Sequence, residues 1–375
     1  MPCSLDGFPN LAALLRGAEA QWHTLGIAPH DLLALCEEED LAPLVYQRAC
    51  DSGGAAEWPE SVRVALSAAA HAEAAAEMVR GVEIRAALDA LANAGVAAVL
   101  LKGTPLAYSV YDVPSMRPRG DTDLIVPEEQ VSSARSALLA RGFAATIHCD
   151  DLFSQFEVQK RGAFGIVHAF DVHWKISTQS IFTELLTYGE LERGAAPVPA
   201  LGPHAKTAGP LHALLLACVH PVMHHQNTER LLWIYDVHLL ASRLTADQFD
   251  AFAAMALERQ MAGICAHELR LAHRVFGTAI PSSVFSRLSA PPQPEPSSAY
   301  LSADRRWHHE LLSSVTGLPR WSDRARHLRQ VLFPSPQYML AMYRVRRKAL
   351  GALILPALYL HRNLNGAWKI LGGKK

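Results

Sequence analysis

Six cysteines are scattered through 375 residues (Cys3, Cys36, Cys50, Cys149, Cys218, Cys265), and no two form a C-x-x-C pair. That spacing excludes a zinc knuckle and a dense disulfide scaffold, and it fits a reducing compartment. Net charge is missing too. Lys and Arg number 35 against 36 Asp and Glu, so no global field draws the chain to long nucleic acid. No apolar run reaches the ~18 residues that read as a membrane span. The longest candidate, 349–360, is short and carries Pro356. The N-terminus, MPCSLDGFPN, lacks the basic region and apolar stretch of a secretory signal. These absences point to the cytoplasm. No internal repeat is visible, which excludes a solenoid. Half of the residues are hydrophobic, and a chain of this length is expected to bury a large core in two or three modules.

What is present is a helical pattern interrupted by one α/β segment. Residues 1–95 read as helical, with Leu and Ala at three- and four-residue steps in 11–20 and 31–50. The Ala-rich stretch 60–93 reads as one long helix, with Gly81 the expected place of a break. The acid run Glu37-Glu38-Glu39-Asp40 reads as a solvated helix end. Residues 96–200 carry the strands. An apolar run, 97–101, ends in Lys102-Gly103-Thr104-Pro105, with Thr104 the expected N-cap and Pro105 the first helical residue. A second strand, 123–126, follows Gly120-Asp121-Thr122, and a helix over 128–141 stops at Gly142. Residues 153–160 and 164–175 read as a hairpin turning at Arg161-Gly162. A Pro/Gly-punctuated loop, 198–210, leads to helices at 211–225, 229–243 and 246–276. Residues 291–296 read as a linker in polyproline form, and 299–375 as a basic helical region. The expected divisions are therefore 1–95, 96–200, 201–290, 291–298 and 299–375.

The candidate site lies in the second of these. A strand that turns sharply into a helix aims free backbone N–H groups at whatever sits above it, which suits an anion. Gly103 and Thr104 are the candidate phosphate cradle. Lys102 either neutralises phosphate charge or extends to water. Residues two apart on a strand face the same way, so Asp121 and Asp123 share one face and Thr122 points to the other. A divalent cation is one way to keep two such carboxylates ionised, while a plain turn pair is the alternative. The same alternation sets Asp171, His173 and Lys175 on a polar face and Phe170, Val172 and Trp174 toward the core. Of Arg117 and Arg119, Arg117 is the preferred phosphate clamp, and the other pairs with Asp121 or Asp112. His220 and His224 stand four apart, with His225 beside them. That spacing suits zinc, but Pro221 intervenes and no Cys or carboxylate stands near in sequence, so packing beside the site is favoured. Asp236 reads either as an orienting group for a histidine or nucleotide, or as a helix-surface acid.

Gly-Thr after a strand, then Asp-x-Asp on the next, resembles the nucleotidyltransferase superfamily of DNA polymerase beta. The wording Leu101-Lys102-Gly103, then Arg117-Pro118-Arg119-Gly120-Asp121-Thr122-Asp123-Leu124, is similar to the bacterial group labelled "nucleotidyltransferase family protein". The likeness continues at Asp171-Val172-His173-Trp174 and Leu232-Trp233-Ile234-Tyr235-Asp236, and covers roughly 60–245. The chain departs from the wider superfamily in its single Gly beside Lys102 and in a longer gap from Gly103 to Asp121. The resemblance implies an α+β fold: a small mixed palm-type sheet embedded in a mostly helical protein of the bacterial cytoplasm. It implies Mg²⁺, with Mn²⁺ as substitute, held by Asp121, Asp123 and Asp171, the last also serving as general base or bridging ligand near the acceptor. Nucleotide contacts fall to Lys102, Gly103, Thr104, Arg117 and His173. The implied reaction moves a nucleoside monophosphate from an NTP, ATP by default, to a small-molecule, peptide or sugar acceptor. A non-catalytic nucleotide-binding scaffold and a tRNA-modifying toxin are the alternatives. The basic tail, with apolar 349–360 at its centre, is expected to pack its apolar face on the body, with at most peripheral, salt-sensitive contact with an anionic membrane.

Overall fold

Helices dominate the chain, and one sheet runs through its middle. The computed structural model describes residues 9–19, 21–146, 154–177, 179–183, 185–302, 315, 320–334, 336–343, 345 and 348–370. The expected strand start at Phe153 and much of 303–319 lie outside the described residues. Four helices come first: α1 (Pro9–Leu15), α2 (Pro29–Glu38), α3 (Ala42–Asp51) and α4 (Glu60–Asn93). Both α2 and α3 carry a proline in the first turn, where the missing N–H has no helical partner to lose. The 34 residues of α4 run unbroken, contrary to the expected break at Gly81. Gly81 serves a close approach instead. A Cβ there would stand 2.7 Å from the Tyr108 hydroxyl. The propensity cost of one glycine, ~1 kcal/mol, is small within so Ala-rich a helix.

The sheet has seven strands in the order β3-β4-β5-β2-β1-β7-β6. They are β1 (Val99–Leu101), β2 (Thr122–Ile125), β3 (Ala144–Ala145), β4 (Gln155–Arg161), β5 (Val167–His173), β6 (Ala196–Pro197) and β7 (Lys206–Thr207). The β1–β2 and β4–β5 pairs are antiparallel, while β2–β5 and β1–β7 are parallel. The sheet is mixed and the fold is α+β, as the resemblance implied. Residues 198–210, expected as a plain loop, include β7, which adds to the edge of β1. A two-residue strand shows no alternation to read. One face of the sheet is apolar: Leu100, Leu124, Phe156, Val158, Phe170 and Val172 pack with Ile84 and Leu88 of α4 and Leu138 of α6 (Val131–Ala140). The opposite face carries Asp123 of β2 and Asp171 and His173 of β5.

Between β1 and β2 lies the short α5 (Gly103–Ser109). Beyond the sheet come α7 (Ser180–Thr183), α8 (Tyr188–Arg193), α9 (Pro210–His224) and α10 (Leu231–Ala241). Then follow α11 (Ala246–Glu258), α12 (Ala262–Phe276) and α13 (Ser282–Ser289). The expected single helix over 246–276 is thus two. Gln260, at φ 57°, turns the chain between them, and the apolar period runs on through the turn and hides it. Helices α1–α3 share one core with α9–α13. The acid run of α2 is not solvated throughout. Glu39 is buried, and its Oε2 accepts the Leu231 N–H at 2.8 Å, which caps α10. The Pro-rich segment expected as a linker is clamped to the body. The Glu295 carboxylate accepts the N–H groups of Ala262 and Gly263 at 3.1 and 2.8 Å.

The last described helices, α14 (Trp321–Leu332), α15 (Pro336–Met342) and α16 (Lys348–Ile370), bond to one another. Arg362 reaches the Val331 carbonyl at 2.7 Å. Leu360, Leu364 and Trp368 of α16 are exposed at four-residue steps, so this part of the tail does not bury its apolar face as expected. No described helix is long and apolar enough to cross a membrane.

One buried acid in this frame has a measurable signature. Glu268 of α12 is 2 % exposed, and burial, with Glu229 nearby, pushes its pKa up to about 8. The unfolded chain releases that proton near pH 4–5. Between the two values the unfolded state binds fewer protons, so stability falls as pH rises, by up to about 1.4 kcal/mol per pH unit. Glu268→Gln is expected to flatten this slope. Its melting temperature should match the wild type near pH 5 and exceed it at pH 8; parallel pH profiles would count against the assignment.

Candidate active site

The site begins where β1 ends. Lys102 sits at φ 56°, ψ −134°, a strained conformation for a residue with a side chain. This sharp turn starts α5 at Gly103, earlier than expected. Thr104 is therefore not a cap but a buried residue of the first turn. Its hydroxyl lies 3.3 Å from the Asp121 carbonyl and 3.2 Å from the Thr122 hydroxyl, and it accepts Arg119 Nε–H at 3.0 Å. Thr104 thus stitches the start of α5 to the approach to β2.

Strand pairing does the rest. Asp123 stands opposite Leu101 on β1 and opposite Asp171 on β5. Alternation along β5 turns His173 the same way. The ligand atoms of Asp123, Asp171 and His173 all lie within 4.8 Å of one another. Asp123 is buried. Its Oδ1 accepts Lys102 Nζ at 2.6 Å and lies 3.0 Å from His173 Nε2. Burial alone would raise its pKa, yet Lys102 and His173 hold the carboxyl well below the usual range. Burial and the charges of Asp123 and Asp121 push Asp171 up to about 7. Burial likewise lowers His173 and keeps it neutral. Two crowded carboxylates and a neutral imidazole are a donor set that fits a divalent metal.

Asp121 stands just before β2 and is exposed, outside this converging group of described residues. His173, expected at the nucleotide, belongs to the group. The face-sharing with Asp171 was the available signal for it.

These residues floor a cleft of about 390 Å³ that Gly103, Arg117, Arg119 and Asp121 also line. Its far wall comes from α9 and α10. The His225 ring lies 4.4 Å from that of Trp233, and His220 meets Trp233 edge-on at 5.0 Å. Burial, then the Lys102 charge, keeps all three imidazoles of this wall neutral; that of His224 falls to about 3. Among described residues these three are not brought together as a metal-ligand group, and their rings pack on one another and on Trp233.

Both arginines differ from expectation in their partners. Arg117 grips Asp236, with Nε at 2.9 and 3.0 Å and Nη2 at 2.8 Å, and its Nη1 donates to the Pro118 carbonyl. Asp236 is no surface acid: it is 4 % exposed and also accepts the Tyr111 hydroxyl at 2.7 Å. Arg119 pairs with Glu77 of α4 at 2.6 Å, not with Asp121 or Asp112. Asp112 pairs with Arg48 instead. Glu77, Tyr111 and the cleft-lining Arg230 escaped the sequence reading, and Asp40 entered it only as part of a solvated acid run, since each acts through a partner distant in the chain.

A family model described as "Uncharacterised nucleotidyltransferase" matches residues 26–277, a span that holds every residue of this cleft. No curated protein matches the sequence.

Proposed function

The chain belongs to this nucleotidyltransferase family, and on that premise we propose that it transfers a nucleoside monophosphate from an NTP to a small acceptor and releases pyrophosphate. The observation that carries the reading is the convergence of Asp123, Asp171 and His173 at the floor of the cleft. Mg²⁺, with Mn²⁺ as substitute, would be held there and would neutralise charge developing on the transferred phosphate. The remaining chemistry belongs to the chain. Asp123 is fixed through its Oδ1, and its Oδ2 would be the oxygen offered to the metal. Asp171, half-buried beside it, is the group to accept the acceptor's proton. Asp121 stands at the mouth, where it can join the metal's ligands. Lys102 offers its ammonium to the triphosphate, with Gly103 and Thr104 at the turn beneath. The Trp233 and His225 rings give an aromatic wall for a base or an acceptor ring, and neutral histidines exclude bulk water without adding charge.

ATP is the default donor. The small cleft and the balanced net charge support a metabolite, peptide or sugar acceptor over long nucleic acid. The test is incubation of the protein with each of the four labelled NTPs, Mg²⁺ and a cell extract. Pyrophosphate release with label in a small, nuclease-resistant product is expected. Nucleotide binding with no pyrophosphate from any NTP would favour a non-catalytic scaffold, and label in tRNA would favour the toxin alternative.

A further inference from the structure

Lys102 is placed unlike a lysine that merely extends to solvent. Its ammonium lies 2.6 Å from Asp123 Oδ1, the same oxygen that His173 Nε2 approaches to 3.0 Å. The cation therefore stands against Asp123, a member of the group whose ligand atoms fall within 4.8 Å of one another. It reaches that position from a strained backbone, φ 56° and ψ −134°, and such strain persists only where the surroundings impose it. The other charged groups facing it are the carboxylates of Asp121 and Asp171. The nearby imidazoles, His173, His220, His224 and His225, are neutral and offer it no competing charge.

We infer that Lys102 is a tethered counter-ion, holding the cation position against Asp123 until a triphosphate draws its ammonium away, so that divalent metal and nucleotide enter the cleft as a coupled pair. The identity of the anion rests on the nucleotidyltransferase reading; the counter-ion role does not. A second cation brought to Asp123 meets the repulsion of the first in a buried, weakly screened site. An incoming phosphate gives the ammonium a new partner, and the lysine side chain is long and flexible enough to follow it. Metal is then favoured by nucleotide, and by linkage nucleotide is favoured equally by metal.

The experiment is Mn²⁺ titration followed by electron paramagnetic resonance, without nucleotide, on wild type, Lys102→Met and Lys102→Gln. Thermal melting checks that each is folded. Both variants are expected to bind Mn²⁺ at least tenfold more tightly than wild type. Equal or weaker binding by folded variants overturns the inference. A measurement on wild type alone stands behind this should neither variant fold. A non-hydrolysable ATP analogue that binds must tighten protein-bound Mn²⁺ beyond the affinity of the free Mn²⁺–analogue complex, and a bound analogue without such coupling also overturns it. Tighter Mn²⁺ in the variants with no analogue bound by any protein upholds the counter-ion and removes the nucleotide reading instead.

Discussion

Asp123→Asn is expected to lower turnover by roughly a thousandfold, the scale seen when a preorganised electrostatic group is removed from an active site. The substitution keeps the shape of the side chain and removes its charge. Asp123 is the one residue of the cleft that touches both Lys102 and His173 among the described contacts, and it faces Asp171 across the β2–β5 pairing. Without the carboxylate the group loses its central anion, and the Lys102 ammonium is left half-buried beside a neutral amide. Some destabilisation should accompany the loss of activity, because a cation that loses its partner is penalised. The measurement is pyrophosphate release under single-turnover conditions, with melting temperature taken in parallel. Near-wild-type turnover in a folded Asp123→Asn protein would sink the assignment. The same assay on Asp121→Asn reports whether the exposed carboxylate at the mouth joins the site.

The largest stability loss is expected from Asp236→Ala. The Arg117–Asp236 pair is bidentate, both side chains are less than a tenth exposed, and Tyr111 adds a third contact. Arginine stays charged at any workable pH, so truncation of Asp236 leaves a buried guanidinium uncompensated. Breaking such a pair costs about 3–5 kcal/mol. At about 2–4 °C per kcal/mol, the melting temperature should fall by roughly 6–20 °C. An apolar double replacement, Arg117→Met with Asp236→Leu, should be less destabilised than Asp236→Ala, because it removes both charges together. If the double variant shows the sum of the two single losses, the pair is not the cause.

The sequence made some of this legible and hid the rest for identifiable reasons. Alternation along 164–175 correctly separated Asp171 and His173 from Phe170 and Val172, because a strand's period of two is local. That Asp171 lies beside Asp123 depends on the parallel pairing of β2 with β5, whose register no short-range pattern encodes. Arg117 looked like a phosphate clamp because its partner Asp236 lies 119 positions away. Glu39 looked solvated because charge runs usually are, while the N–H it caps lies 192 positions on, at Leu231. Thr104 was misread at closer range. The positive φ of Lys102 moved the helix start, and a lysine gives no sign of that conformation.

The segment from Arg117 to Arg119 is gripped by one helix that precedes it in the chain and one that follows. Asp236 of α10 takes the first arginine, and Glu77 of α4 takes the second. Glu77 is itself gripped by Arg80 and by the Tyr108 hydroxyl that nests over Gly81. The stiffness with which this loop presents Asp121 and Asp123 therefore draws on two distant helices as well as on its own residues. Arg-Pro-Arg-Gly-Asp-Thr-Asp is consequently not a portable motif. Grafted onto another sheet with its own strand alone, it would keep the carboxylates and lose both clamps, and with them the geometry that makes those carboxylates a site.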